Sequence, residues 1–512
     1  MPEPAADPAP RGEPVTLAAR LGGRLIGPVR AAYVPVLLTY FAFGASSVTS
    51  IAALYFQKDA LALTPAQAAD VAFWVALPWS MKMVAGVASD RYPILGSRRR
   101  AYLLLGALAT LVGFALLATV ARTRAAYLVA AVLVAVGFMI QDVVADGLSV
   151  EVARSDEEMA QVQALGRMAF FVGYILAGGY LGGVLAGWLG PQPVFGVACA
   201  LPVLVAIGAL FVRERPRVAA APAATPAAMV ASTPALSAPV AAPAPAGPLA
   251  GGNAALIITG GLAYAALGLV LELLHVALAQ EIVLVVSAAI IVLLLRRVGL
   301  TRPVAVAAFA LFVFRAVPSV GQGYSYWAID RLGFDQHFLG ILSQVSSVVG
   351  LIGLILFRGP ITRRPVSETL FWVIVAGTIL SAPNIGLFYG LHDWLGVSAR
   401  SIALVDTTIT APLSQLTMVP LLALIARTAP PGAEATVFAI MSSLMNLALS
   451  ASEMFTGYVN DGFGVTQQDY SNLGRLMLTV TALGLVPLLA LPLLRREEPH
   501  LASVPRPAGA GA

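Results

Sequence analysis

Cysteine occurs once in this chain, at Cys199, so neither an internal disulfide nor a thiolate metal cluster is available to it. Histidine is scarce too: His275, His337, His392 and His500 stand singly, without the paired spacing that a metal site uses. Arginine outnumbers lysine 29 to 2, and charged residues of all kinds amount to only 11%. The HExxH and GxSxG patterns are missing, and with them two common routes to hydrolysis. These absences argue against an enzyme and against a resident metal or other cofactor. The net charge of +5 is scattered over short loops between apolar segments, which is not the footprint of a nucleic-acid-binding face.

What the chain has in abundance is apolar surface, with 59% hydrophobic residues and a mean hydropathy of +0.85. Soluble domains do not reach such values, and a lipid bilayer is the expected solvent. A spanning helix needs roughly 20 predominantly apolar residues. Runs of that kind fall at 31–57, 67–89, 101–121, 125–150, 160–188 and 193–212, then at 253–277 and 281–296, then at 303–329, 337–357, 367–391, 401–427, 433–460 and 471–494. Residues 216–250 are rich in proline and alanine, which opposes regular helix and offers little bulk to bury.

The expected architecture is therefore an all-α integral membrane protein of the major facilitator plan. It has 12 core helices in two six-helix bundles, 31–212 and 303–494, with an inserted transmembrane hairpin at 253–297 and 14 helices in total. A disordered cytoplasmic tail at 1–30, a Pro/Ala-rich cytoplasmic linker at 213–252 and a cytoplasmic tail at 495–512 complete it. The second arm of the hairpin, 281–296, is the short one, and an interfacial position is its alternative. Arginine asymmetry places Arg98, Arg99, Arg100, Arg213, Arg296, Arg297, Arg363, Arg364, Arg495 and Arg496 on the cytoplasmic side if both arms span. Lys58, Arg122, Arg124, Arg331, Arg400 and Arg475 then fall outside, and both termini lie in the cytoplasm. A short repeat supports this register: YFQKDALAL at 55–63 and YWAIDRLGF at 326–334 share tyrosine, an aromatic, aspartate and leucine at one spacing.

Charges inside the spans are the sharpest functional clue, because each costs about 2.5 to 3.5 kcal/mol at the centre of an inserted helix. Lys82 lies in LPWSMKM beside Trp79, Arg167 on the fifth span, and Asp142 and Asp146 share one face of the fourth. Lys82, Arg167, Arg315 and Trp79 are the expected substrate-binding residues, and Asp142, Asp146 and Glu453 the expected proton-coupling carboxylates. A static set of ion pairs fixing helix packing is the competing reading. Asp406 is a further cavity candidate, Glu434 reads as a helix cap, Glu272 as a local pair in the hairpin, and Trp327 as part of an interfacial aromatic belt. The loop GVASDRYPILGSRRR at 86–100 presents Gly86, Asp90, Arg91, Arg98, Arg99 and Arg100 as a gating loop, with the arginine cluster suited to helix C-terminal ends and to the acids Glu151 or Asp156.

The segments LPWSMKMVAGVASDRYPILGSRRRAYL, QDVVADGLSVEVAR, LGFDQHFLGILSQVSSVVGLIG, PLLALIARTAPPGAEATVFAIMSSLMN and YSNLGRLMLTVTALGLVP together resemble the folate–biopterin transporter family of the major facilitator superfamily. That resemblance implies a secondary active transporter that moves a folate, a pterin or a similar organic anion together with protons by alternating access. It implies Lys82, Asp142, Asp146 and Arg167 as motif residues. Met83, where proline is expected after the lysine, and Glu453 depart from the pattern. A muropeptide or peptide permease and a non-transporting assembly factor for a membrane complex are the alternative classes. The expected setting is a bacterial inner membrane, with the lipid bilayer, a small-molecule anion and protons as partners and a monomeric state.

Overall fold

A computed structural model of the chain describes residues 29–214, 254–428 and 434–502, apart from 275, 364 and 417. The expected tail at 1–28, residues 215–252 of the expected linker and the end of the expected C-terminal tail lie outside the described residues. Six helices precede the gap: α1 Ala31–Ala60, α2 Pro65–Arg91, α3 Arg100–Thr119, α4 Arg124–Val152, α5 Glu157–Leu189 and α6 Pro191–Leu210. After it come α7 Ala254–Leu273, α8 Ala279–Val298, α9 Arg302–Arg315, α10 Gln322–Leu332 and α11 Gln336–Arg363. The chain continues through α12 Val366–Phe388, α13 Ala399–Leu416, α14 Met418–Thr428 and α15 Glu434–Gly462, and α16 Leu473–Glu497. No strand occurs among the described residues.

Eleven helices among the described residues are long and apolar enough to cross a membrane, against the fourteen expected. Of the three missing spans, two are lost to local breaks, and the third is α7, whose apolar stretch is the shorter Thr259–Glu272. The run at 303–329 is two helices, because α9 ends at Arg315 and the chain passes through Gly321, at φ +63°, before α10 begins. The run at 401–427 is likewise divided between α13, which holds Pro412, and α14. The hairpin corrects a second expectation: α7 and α8 each run for 20 residues, or about 30 Å, so 281–296 is not a short arm. The last helical stretch, Leu491–Ala502, runs past the expected boundary at 494.

Local sequence explains the helix starts. Thr64 accepts from the backbone amide of Gln67 while the Gln67 side chain accepts from that of Thr64, and Pro65 occupies the first turn of α2. Thr123 and Ser155 cap α4 and α5 by accepting from the backbone amides of Ala126 and Glu158. In α2 the regular helix is interrupted by a 3-10 stretch at Leu77–Met81 that contains Pro78, and in α5 by a π-turn at Tyr174–Gly178. Interruptions of this kind favour functional positions in long helices, and the first sits between Trp74 and Lys82.

The two bundles meet where small residues allow backbones to touch. A Cβ on Gly183 of α5 would lie 2.4 Å from the Gln336 carbonyl oxygen, and one on Gly340 of α11 would lie 2.8 Å from the Gly179 carbonyl oxygen. Neither position tolerates a side chain without separating α5 from α11.

The arginine cluster is placed differently from expectation. Arg98, Arg99 and Arg100 stand at the N-terminus of α3, where the helix dipole disfavours cations. Glu214, just beyond α6, offsets this. Its carboxylate accepts from Ser97 Oγ at 2.5 Å and from the amides of Arg98, Arg99 and Arg100 at 3.0, 2.9 and 2.9 Å. Burial alone would raise the Glu214 pKa, but the Ser97 hydroxyl and the three amides outweigh it and hold the pKa down to about 2.

A depressed carboxylate contributes stability above its unfolded pKa of about 4.3 and loses it as pH falls toward the folded value. Glu214→Gln should therefore lower the thermal midpoint at neutral pH by the loss of one helix cap, roughly 1 kcal/mol. The gap to the parent protein should close progressively between about pH 4.3 and pH 2. Scanning calorimetry of both proteins across that range measures it, and a gap independent of pH would show that the carboxylate charge is not responsible.

Candidate functional site

Three helices of the first bundle bring charge to one place, and α1 adds a hydroxyl. Asp142 and Asp146 lie one turn apart on α4 and are each 2% exposed. Lys82 of α2 forms an ion pair with Asp142 Oδ2, and its Nζ lies 5.1 Å from the Trp79 ring centroid. The Trp79 indole stacks on Phe43 of α1 at 5.3 Å. Asp146 accepts a hydrogen bond from the hydroxyl of Tyr40 on α1. The guanidinium of Arg167, on α5, sits 5.5 Å from the Tyr40 ring centroid. Below this layer Ser149 donates to the Asp146 carbonyl at 2.6 Å and accepts from Gln163.

This arrangement is nearly closed in charge. One carboxylate oxygen remains: Asp142 Oδ1 is buried with no hydrogen-bond partner among the described residues.

The second bundle is unlike the first. Arg315 ends α9, half-buried, with no ion pair among the described residues and its Nε buried without a partner. The chain just after it is held to α15, where Ser452 Oγ donates to the Val317 carbonyl at 2.5 Å and the Ser319 amide donates to Thr456 Oγ1 at 2.9 Å. Glu453 adjoins Ser452 on α15, half-buried, and likewise makes no ion pair or hydrogen bond among the described residues. Arg315 and Glu453 do not pair with each other or with the first-bundle network. A third polar group links three elements: Tyr324 donates to Asn384 Oδ1 at 2.8 Å, and Asn384 Nδ2 donates to Asp406 Oδ2 at 2.8 Å. The other oxygen of Asp406 is buried without a partner.

At the loop between α2 and α3, Arg99 is the only member of its cluster to form ion pairs among the described residues. It meets Asp90 at 2.7 Å and Glu151 at 2.8 Å, and donates to Ser89 Oγ at 3.1 Å. A Cβ on Gly147 would lie 2.8 Å from the Arg99 guanidinium carbon, so a glycine on α4 makes room for it. Gly86 is buried and accepts from Ser89 through its carbonyl at 3.0 Å. Arg91 and Arg100 are exposed and Arg98 is half-buried.

At the opposite end the two copies of the sequence repeat touch. Lys58 of the first copy pairs with Asp330 of the second at 2.6 Å, and Tyr55 donates to the Phe334 carbonyl at 2.8 Å. Tyr470 donates to Asp330 Oδ2 at 2.6 Å, and Gln467 donates to the carbonyls of Lys58 and Leu63 at 2.9 Å each. These bonds join the bundles at the Lys58 end, whereas the bonds named at the Arg99 end stay within the first bundle.

Several of these residues carry no sequence signal of their own. Tyr40 lies in an apolar run, Asn384 is uncharged, and Glu214 stands at the edge of the Pro/Ala-rich stretch. The repeat marked 55–63 and 326–334 as related but not as adjacent. Two expectations are corrected. Trp327 is 6% exposed and packs between Tyr324 and Phe388 with ring centroids 5.6 and 5.3 Å away, so it belongs to the core of the second bundle and not to an interfacial belt. Glu272 is not a local hairpin pair: it meets Arg124 of α4 at 3.3 Å.

Comparison with known proteins agrees with the architecture. The folate-biopterin transporter of Synechocystis sp. (strain ATCC 27184 / PCC 6803 / Kazusa) is 27% identical over 91% of this chain and 82% of its own length. The probable folate-biopterin transporter 6 of Arabidopsis thaliana is 22% identical over 86% of this chain and 77% of its own. Among solved structures, a POT family transporter in complex with a thioalcohol-conjugated peptide superposes with a TM-score of 0.64 at 12% identity, covering 94% of this chain and 98% of the other. The nucleoside transporter NupG gives 0.60 at 12% identity, covering 91% and 98%. At such identities the structures show a shared fold and nothing finer. The sequence profile of the BT1 family matches residues 44–504. The chain belongs to the BT1 family, a family of membrane transporters and not of enzymes.

Proposed function

We propose that this protein is a proton-coupled symporter for a folate, a pterin or a similar organic anion, working by alternating access in a bacterial inner membrane with both termini in the cytoplasm. The observation that carries this reading is the division of charge between the bundles. In the first, Lys82 is already satisfied by Asp142. In the second, Arg315 has no partner among the described residues. An uncompensated cation at bilayer depth is costly, and an anionic ligand relieves that cost. Arg315 is then the primary anion anchor, and Lys82 becomes available only when a proton takes its place on Asp142.

That order produces coupling. Proton and anion each improve the binding of the other, since the proton frees a cation and the anion occupies it, and the linkage is reciprocal by thermodynamic necessity. Asp146, held by Tyr40, and Glu453 are the further carboxylates able to carry a proton. Trp79, next to Lys82, supplies a flat face for a heterocycle.

In proteoliposomes, Arg315→Gln should weaken apparent affinity for the anion by roughly 10- to 100-fold, the cost of one charge-assisted hydrogen bond at about 1.5 to 3 kcal/mol. Arg315→Lys should recover part of it. Unaltered affinity in Arg315→Gln would remove this residue from the site. Asp146→Asn should retain exchange of substrate between the two sides while losing accumulation driven by a pH gradient. If Asp142→Asn and Asp146→Asn both still concentrate substrate with unchanged pH dependence, the pair is structural and Glu453 is the carrier to examine.

The bonds at the Lys58 end make this an inward-facing arrangement in the expected topology, with 55–63 and 326–334 as the outer seal. Because Asp330 retains 30% exposure of its side chain, the Lys58 pair is worth at most about 1 kcal/mol. Lys58→Asp should therefore raise labelling of a cysteine placed at Ser319, in a Cys199→Ala background, by a membrane-impermeant maleimide about five-fold, and the double variant Lys58→Asp/Asp330→Lys should reverse the gain. Equal labelling in all three proteins would show that the seal lies elsewhere.

A further inference from the structure

The inserted hairpin leaves a cavity against the first bundle. The register of α7 is fixed at two places: a Cβ on Gly261 would lie 2.6 Å from the Val84 side chain, and one on Gly268 would lie 3.2 Å from the Trp74 indole. Thus α7 runs antiparallel to α2. Between these helices and α4 lies a space of about 340 Å³ bounded by Trp74, Met81, Val132, Met139, Tyr264 and Ala265, with Glu272 in its wall. The hydroxyl of Tyr264 is turned to α8, where it meets Ser287 and donates to the Val283 carbonyl at 3.1 Å. What this residue adds to the wall is therefore its ring.

Such a space holds no water, which needs two or more polar partners. Left empty, its walls forfeit their dispersion contacts. Both α2 and α4 are apolar enough to span the membrane, so the medium around the cavity is hydrocarbon. A polar anion of the kind assigned to the central site does not fit these walls.

Charge at the Lys58 end of the cavity specifies more than a hydrocarbon chain. Arg124 lies 3.3 Å from Asp70 and 3.3 Å from Glu272, and Gln280 donates to the second oxygen of Asp70 at 3.4 Å. Two carboxylates share one guanidinium, which leaves one negative charge beside the cavity. Asp70 and Arg124 retain about a third of their side-chain exposure, at 32% and 33%. A negative, partly accessible cluster next to an apolar slot is complementary to an amphiphile with a cationic group above a hydrocarbon tail.

We propose that this cavity binds one acyl chain of an amino-headgroup phospholipid, such as phosphatidylethanolamine, with the ammonium at the Asp70–Arg124–Glu272 cluster. The lipid fills the space between the hairpin and the first bundle and fastens the one to the other. The site is separate from the central one, and its occupancy does not depend on what the protein transports.

The test is native mass spectrometry of protein extracted from vesicles that contain phosphatidylethanolamine and phosphatidylglycerol in equal amounts. One phosphatidylethanolamine per chain should survive extraction. Ala265→Trp, which fills the slot from α7, and Val132→Phe, which fills it from α4, should each lower occupancy at least five-fold. Glu272→Gln should keep a lipid but lose the preference between headgroups. Release of bare protein, occupancy unchanged in both filling variants, or a preference for phosphatidylglycerol in the parent protein would each overturn the proposal.

Discussion

An ionised carboxylate at bilayer depth is costly without a partner, and answering that cost for two of them organises the first bundle. Asp142 and Asp146 stand one turn apart on α4, each 2% exposed. Taken alone, two such charges would repel each other and oppose insertion. The surrounding helices answer them: α2 brings Lys82 to Asp142, and α1 brings the Tyr40 hydroxyl to Asp146. Arg167 on α5 then lies against Tyr40. Removing one partner of a buried pair costs more than the pair contributes, about 3 to 5 kcal/mol. The mutual placement of α1, α2 and α4 is thereby tied to a few polar atoms in an otherwise apolar assembly.

Apolar burial cannot provide that specificity in a membrane, where lipid competes equally for hydrophobic side chains. Close backbone approach does so between the bundles. Gly179 and Gly183 face Gly340 with no room for a Cβ, which fixes α5 against α11 through dispersion and shape. The polar network around Asp142 and Asp146 holds the first bundle together, and the glycine contacts of α5 with α11, together with the bonds at the Lys58 end, bring the bundles into register.

Much of the architecture was legible in the sequence because its signal is additive. Apolar length and proline placement each sum over many residues, and no single position can mask them. Helix division was less legible. The α9–α10 break depends on Gly321 adopting φ +63°, and composition does not distinguish such a glycine from one buried in a helix. The candidate site was legible only as a set of charges. Lys82, Asp142, Asp146, Arg167, Arg315 and Glu453 stand out at bilayer depth, yet their partners are set by tertiary packing. Tyr40 supplies a hydroxyl from an apolar run, Asn384 bridges Tyr324 and Asp406 without charge, and Glu214 gathers three backbone amides. Trp327 was misread for a similar reason: an aromatic near a helix end suits an interfacial belt, and only the rings of Tyr324 and Phe388 decide otherwise.

The repeat at 55–63 and 326–334 adds a constraint from symmetry. Equivalent positions in the two copies hold Asp59 and Asp330, but Lys58 of the first copy has Ile329 opposite it in the second. One lysine thus faces two aspartates, at 3.2 Å from Asp59 and 2.6 Å from Asp330. A symmetric contact would need a cation in each copy, and the single one makes the contact depend on one side chain. Because Lys58 has Asp59 beside it, parting the bundles need not leave its ammonium without a counter-ion. The ammonium of Lys58 thus has one counter-ion on its own helix and a second across the bundles.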